Sequence, residues 1–262
     1  GPYLEETYGG VYYLPRARFD TNLPGDPLPN HQLMYIRKDW ADAVGFEIKD
    51  AYTVSEIMEY ARLVKEQDPG GLGDNLVPIT VNPDNALTMF IQHNSTYADN
   101  FYKDENGVYQ WGGASPDTLT GLKLMYQAYA EGLLYPDFYA LQNEQDEEMF
   151  YISATAASVY MNGTATGMQV NMMTRFNGST GLDSREVVHA VPVLGEDGNF
   201  HQQDLINYWG TIVFSPNIED AKFERFMDAL DYGCTEEGFL LQVAGFEGED
   251  YDYDEDGNMI SL

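Results

Sequence analysis

The 262-residue chain is predicted to be α/β, a mixed sheet flanked by helices. Three observations predict this class. Strand-like and helix-like segments alternate along the whole length, without an internal repeat or a low-complexity tract. Residues 33–71 pack an apolar strand, a short helix and a capped amphipathic helix into one stretch. The hydrophobic share is 44%, ordinary for a globular core, and no apolar run reaches the 18 residues that would suggest a membrane span.

Val11-Tyr12-Tyr13-Leu14-Pro15 reads as a first strand closed by proline, and residues 24–30 as a stiff Pro/Gly loop. Leu33-Met34-Tyr35-Ile36 is the next strand. Asp39 is placed to cap a helix over 40–44, with Gly45 at its left-handed stop. Thr53 and Glu56 form a capping box, Tyr52 and Ile57 a hydrophobic staple, and Val54, Ile57, Met58, Ala61 and Val64 one apolar face. Asp68-Pro69-Gly70-Gly71 ends that helix. A strand is expected over 76–81 and a helix from Leu87 toward Tyr97. Asp104-Glu105-Asn106-Gly107 suits a hairpin tip. Ser115-Pro116 starts a helix whose apolar stripe is Leu119, Leu122, Tyr126 and Tyr129 and whose end is Gly132. Strands follow over 156–161, 187–193 and 212–214, then helices carrying Phe223, Phe226 and Leu230 and covering 236–243, and last an acidic tail.

With 43 acidic residues against 13 basic, the net charge is −30. Nucleic acid and anionic lipid surfaces need a basic patch and are not expected partners. Such a charge keeps an exported protein soluble; an acidic cleft for cationic ligands is the sharper alternative. Residues 1–6 lack the basic start and apolar core of a signal peptide, so the chain is expected to have lost its leader or to be part of a longer one. Cys234, alone, excludes an internal disulfide and is expected as a buried filler. His31, His93, His189 and His201 show no ligand spacing, and no nucleophile elbow or phosphate loop is present. Asp252-Tyr253-Asp254-Glu255-Asp256-Gly257 has oxygens at EF-hand positions but no flanking helices, and reads as a hairpin turn. No metal, cofactor or catalytic residue is expected.

Tyr35-Ile36-Arg37-Lys38-Asp39-Trp40, followed by Thr53-Val54-Ser55-Glu56 and Asp68-Pro69, resembles the extracellular solute-binding proteins of carbohydrate ABC importers, the large Gram-positive lipoprotein branch in particular. Tyr12-Tyr13-Leu14-Pro15 resembles the family's first crossing strand, Ser158–Gly163 a strand ending at the cleft, and Asn207–Asn217 the return crossing. Thr235-Glu236-Glu237-Gly238 and Gly245-Phe246-Glu247-Gly248 resemble segments beyond it. The resemblance implies a periplasmic-binding-protein-like (type II) lobe with hinge strands and part of the second lobe. Residues 1–30 would be the first hinge crossing with the loop after it, 31–205 lobe two, and 206–262 the return crossing with part of the other lobe. Some relatives hold calcium in the loop matching 68–75; Gly70 and Leu72 stand where ligands are needed, so no calcium is implied here.

A sugar cleft mixes aromatic rings, which pack on apolar sugar faces, with amide and acid side chains for the hydroxyls. Tyr208 and Trp209 on the return crossing, and Arg18 and Phe19 past the first, are candidates by the resemblance. Asn82, Asp84 and Asn85 follow a strand, where α/β sheets place their sites. Asn162 and Thr164 match the strand end where maltodextrin-binding relatives carry a stacking tryptophan, absent here. Trp40 is expected in the core, and Trp111 is open between core and ligand. The implied function is the substrate-binding component of a carbohydrate ABC importer, not an enzyme, taking an oligosaccharide in a hinged cleft and delivering it to a permease. It would act outside the cell as a surface lipoprotein, or in the periplasm, and meet the membrane only through a lipid anchor absent from this chain. A glycan-binding lipoprotein without a transport role, a glycan-active enzyme, and a peptide or polyamine binder stay open as alternatives.

Overall fold

The computed structural model describes residues 5–7, 9–17, 32–162, 174–201, 208–255 and 257–262. The chain divides into two compact units, one of Gly1–Leu23 with Ile206–Leu262, the other of Pro24–Leu205.

In the larger unit, β2 (Gln32–Arg37) is the centre of a three-stranded sheet, antiparallel to β6 (Ser158–Asn162) and to β7 (Val188–Val191). Residues 77–80 add a parallel neighbour through bridges to Ala156 and Val159, and Ile79 bridges Leu134 on its far side. The strand expected over 76–81 exists as these separate bridges because Pro78 has no amide to donate. Alternation along β2 splits the interior into two cores. Met34 and Ile36 join Tyr160 and Val191 on one face, whereas Tyr35 joins Val159 and Met161 on the other.

The first core holds α1 (Lys38–Val44) and α2 (Val54–Gln67). Asp39 does not cap α1. Its carboxylate takes two hydrogen bonds from the Arg37 guanidinium instead, at 2.8 Å to Nε and 2.5 Å to Nη2. Arg37 is buried and stacks 4.4 Å above Trp40, so the carboxylate is needed to neutralise it rather than to cap. Trp40 is core, as expected. The Thr53–Glu56 capping box forms in full, and Tyr52, Ile57 and the rest of the expected face are buried. Ahead of α2, β3 (Tyr52–Thr53) pairs in parallel with β8 (Val193–Leu194). Asp68 ends α2 in a left-handed conformation, its carboxylate accepting the amides of Leu72 and Gly73 at 2.9 and 2.8 Å.

Helix α3 (Pro83–Ala86) runs on into a wide-turn helix, Leu87–Gln92. Strands β4 (Phe101–Lys103) and β5 (Tyr109–Trp111) make the expected hairpin, with Trp111 half exposed. Helix α4 (Pro116–Ala130) overturns one expectation: Leu119, Leu122, Tyr126 and Tyr129 all face solvent. The buried side is Thr118, Gly121 and Ala128. Gly121 sits so close to Phe90 and Ile91 that an added Cβ would strike the Phe90 carbonyl oxygen and come within 2.7 Å of Ile91 Cα. Close backbone approach chose the small residues, and the bulky stripe was left outside. Helix α5 (Gln145–Tyr151) and the short α6 (Asn177–Thr180) and α7 (Ser184–Val187) complete this unit.

In the smaller unit, β1 (Leu14–Ala17) pairs antiparallel with β9 (Tyr208–Ile212). Both strands are offset from the expected 11–15 and 212–214. The register slips between Pro15 and Ala17, opposite Gly210 at φ +69°, a bulge position that only glycine adopts freely. Helices α8 (Asp220–Gly233) and α9 (Glu236–Val243) follow, and β10 (Tyr251–Tyr253) with β11 (Met259–Ser261) form a hairpin. The hairpin turn read at 252–257 in the acidic tail thus joins two paired strands, as expected. Cys234 is exposed, not a buried filler, because α8 before it buries no residue; Phe223 and Phe226 on that helix are also exposed.

Candidate functional site

Three of the expected site residues meet at one end of the larger sheet. The chain leaves the sheet at Asn82, which caps α3 by accepting the Asn85 amide at 2.9 Å. Asn82 and Asn85 are nearly buried, and Asp84 between them is exposed. Asp146, in the first turn of α5, is fully buried against them. Its carboxylate accepts the Asn82 backbone amide at 2.8 Å and the side-chain amides of Asn82 and Asn85 at 3.4 and 3.3 Å. The Asn85 side-chain oxygen accepts Gln32 Nε2 at 2.9 Å. Gln32 begins β2 and stands opposite Asn162, the last residue of β6. Register thus brings the 82–85 loop and the position of Asn162 to one edge through Gln32.

Beside this network lies a concavity of about 350 Å³ lined by Asn82, Pro83, Asp84, Leu141, Gln142 and Asn143. It offers amide donors and acceptors with one exposed carboxylate, a set suited to hydroxyl groups. Burial raises the Asp146 carboxyl above its usual range, against the opposing pull of its amide donors. Burial likewise raises Glu147, whose carboxylate accepts the Tyr151 hydroxyl at 2.6 Å. A larger concavity of about 690 Å³ lies in the smaller unit, between Tyr232, Glu236, Glu237, Phe246 and Tyr251 among others. Among the described residues no cluster of His, Cys, Asp or Glu could hold a metal ion.

Tyr208 and Trp209 lie on β9 in the smaller unit, where only their backbone is described. Asn162 likewise has a described backbone alone. Arg18, Phe19 and Thr164 lie outside the described residues. The sequence reading missed Gln32, Gln142, Asn143 and Asp146. Asp146 carried a signal nonetheless: it shares the 3- and 4-residue spacing of Met149 and Phe150, which places it on the inward face of α5.

No family model and no curated protein matches the chain. Solved structures do. An alginate-binding protein, AlgQ2, without calcium ion, matches with a TM-score of 0.63 at 19% identity, over 97% of this chain and 49% of its own. The substrate-binding protein FusA of an S. pneumoniae ABC transporter, in complex with kestose, matches at 0.63 and 15%, over 100% and 55%. An HMO-binding solute-binding protein from Bifidobacterium longum infantis matches at 0.64 and 16%, over 97% and 53%. The fold is that of ABC-transporter solute-binding proteins. The chain spans about half the length of these three, and its mixed sheet with flanking helices is part of the periplasmic-binding-protein-like architecture they share.

Proposed function

We propose that the chain belongs to the substrate-binding component of a carbohydrate ABC importer and takes an oligosaccharide without making or breaking a bond. The observation that carries this reading is the shared fold with three carbohydrate-binding transporter proteins across nearly the whole chain. The sheet end at Asn82, Asp84, Asn85 and Asn162 supports it, since amides and acids there can meet sugar hydroxyls on a rigid scaffold. Tyr208 and Trp209, with Arg18, Phe19 and Thr164, remain part of the proposed ligand surface. Residues 1–30 are proposed as the first hinge crossing with its entry loop, 31–205 as lobe two, and 206–262 as the return crossing with part of the other lobe. The proposed partner is the transporter's permease, and the proposed place is outside the membrane, on a lipid anchor or in the periplasm.

Isothermal titration of the protein with a panel of oligosaccharides tests the reading. Saturable binding of at least one sugar without new reducing ends is the expected result. New reducing ends would make the protein a glycan-active enzyme, and binding of peptides or polyamines in place of sugars would also overturn it.

A further inference from the structure

Charge at the sheet end restricts which sugars it can take. Asp84 lines the concavity of about 350 Å³ with an exposed carboxylate, and among the described residues no hydrogen bond or ion pair holds that carboxylate. Asn143, also in the lining, has a side-chain amide without a described partner. Gln142 donates its amide nitrogen to the Ala140 carbonyl at 3.4 Å and keeps its side-chain oxygen free of any described bond. No Lys, Arg or His is among the described residues of the lining. Asp146, bonded to Asn82, is a second acid and has amide donors alone. The start of α3 does not make up for this with free donors. The backbone amides of Asn82, Asn85 and Ala86 are taken, and Pro83 has none.

We infer that this concavity is a subsite for an uncharged sugar ring: the Asp84 carboxylate accepts ring hydroxyls, and a uronic-acid ring is turned away. This rests on the sugar-binding reading above and adds the charge class of the ligand. An ionised carboxylate only accepts, and its two oxygens can each take one of two neighbouring hydroxyls. Asn143 can donate to a ring oxygen or accept a further hydroxyl, and Leu141 offers apolar surface to a ring face. A uronate would bring a second negative charge against Asp84 with no cation in the lining to offset it. The net charge of −30 repels an anionic chain at longer range as well. The volume is at the small end for ligand pockets, which suits part of an oligosaccharide rather than the whole of it.

A printed array of neutral, uronate-bearing and sialylated oligosaccharides, probed with the 262-residue chain and with Asp84→Asn, tests this. Wild-type hits are expected to carry at least one uncharged ring. By calorimetry, D84N should weaken the tightest neutral hit about ten- to a hundredfold, the scale of hydrogen bonds to a charged group. A second pair of probes differs in charge alone: an alginate oligosaccharide, with a carboxylate on every ring, and the same oligosaccharide reduced at its carboxyl groups. The reduced form should bind wild type at least tenfold more tightly, and D84N should narrow that gap. Thermal melts of the two proteins should coincide, since Asp84 is exposed and its carboxylate is bonded to nothing described. Alginate bound as tightly as its reduced form, or a neutral hit bound equally well by D84N, would overturn the inference and leave the importer reading standing. An array without any hit would overturn the sugar-binding reading and the inference with it.

Discussion

Acid should loosen the larger unit through one residue, His93. It follows the wide-turn helix, is 3% exposed, and its Nε2 lies 2.6 Å from the buried Tyr160 hydroxyl. Its Nδ1 is buried without a hydrogen-bond partner among the described residues. Tyr160 and Phe200 both meet the imidazole edge to face, and His201, itself bound to Asp197, adds positive charge nearby when protonated. Burial first, and then His201, lower the His93 pKa from 6.5 to about 4. A base with a depressed pKa is neutral in the folded chain where the unfolded chain already binds a proton. Its contribution is therefore intact above pH 6.5 and is lost as pH falls toward 4. The gap, at roughly 1.4 kcal/mol per pH unit, amounts to about 3 kcal/mol in full. Asp146 and Glu147, whose pKa values are raised, act with the opposite sign, so the comparison must be made against a variant. Urea unfolding of wild type and His93→Gln at pH 7.5 and 4.5 isolates the histidine. Acid should destabilise the wild type more than the variant by about 2–3 kcal/mol. NMR should show the His93 ring titrating far below pH 6. A ring that titrates near 6.5, or identical pH slopes for the two proteins, would refute the argument.

Other outcomes follow from close contacts and caps. Gly121→Ala should destabilise by about 1–3 kcal/mol in urea titrations, because the methyl group meets Phe90 and Ile91 backbone that cannot move aside cheaply. Thr53→Ala removes half of a complete capping box and should cost about 1 kcal/mol by the same assay. Tyr126→Ser, on the exposed stripe of α4, should change stability by no more than about 0.5 kcal/mol. A loss of several kcal/mol there would mean that the stripe is covered. Cys234 should react fully with a thiol reagent in the native protein, and protection from it would contradict its exposure.

What was legible in the letters was local. The Thr53–Glu56 box, the face from Val54 to Val64, the hairpin tip at 104–107 and the helix over 236–243 each depend on residues a few positions apart, and each formed as read. The resemblance carried by residues 35–40, 53–56 and 68–69 also led to the right fold. Asn82 could be chosen because a loop after a strand-like run is a local pattern too, though its role as the cap of α3 was not read.

Contacts between distant segments decided the rest. The stripe Leu119, Leu122, Tyr126 and Tyr129 has helical periodicity, but periodicity cannot say which face another backbone will approach, and Gly121 settled that. Asp39 had the right spacing for a cap, yet the buried Arg37 guanidinium claimed it. Gln32, Asn85, Asp146 and the Asn162 position are far apart in sequence, and only sheet register and the packing of α5 bring them to one edge of the sheet. The sequence by itself determined the capped helix from Thr53, the strand at 33–36 and the hairpin tip at 104–107, since those energies are local. The tertiary structure decided which polar groups are buried together, because desolvation and pairing depend on neighbours that the chain brings from elsewhere.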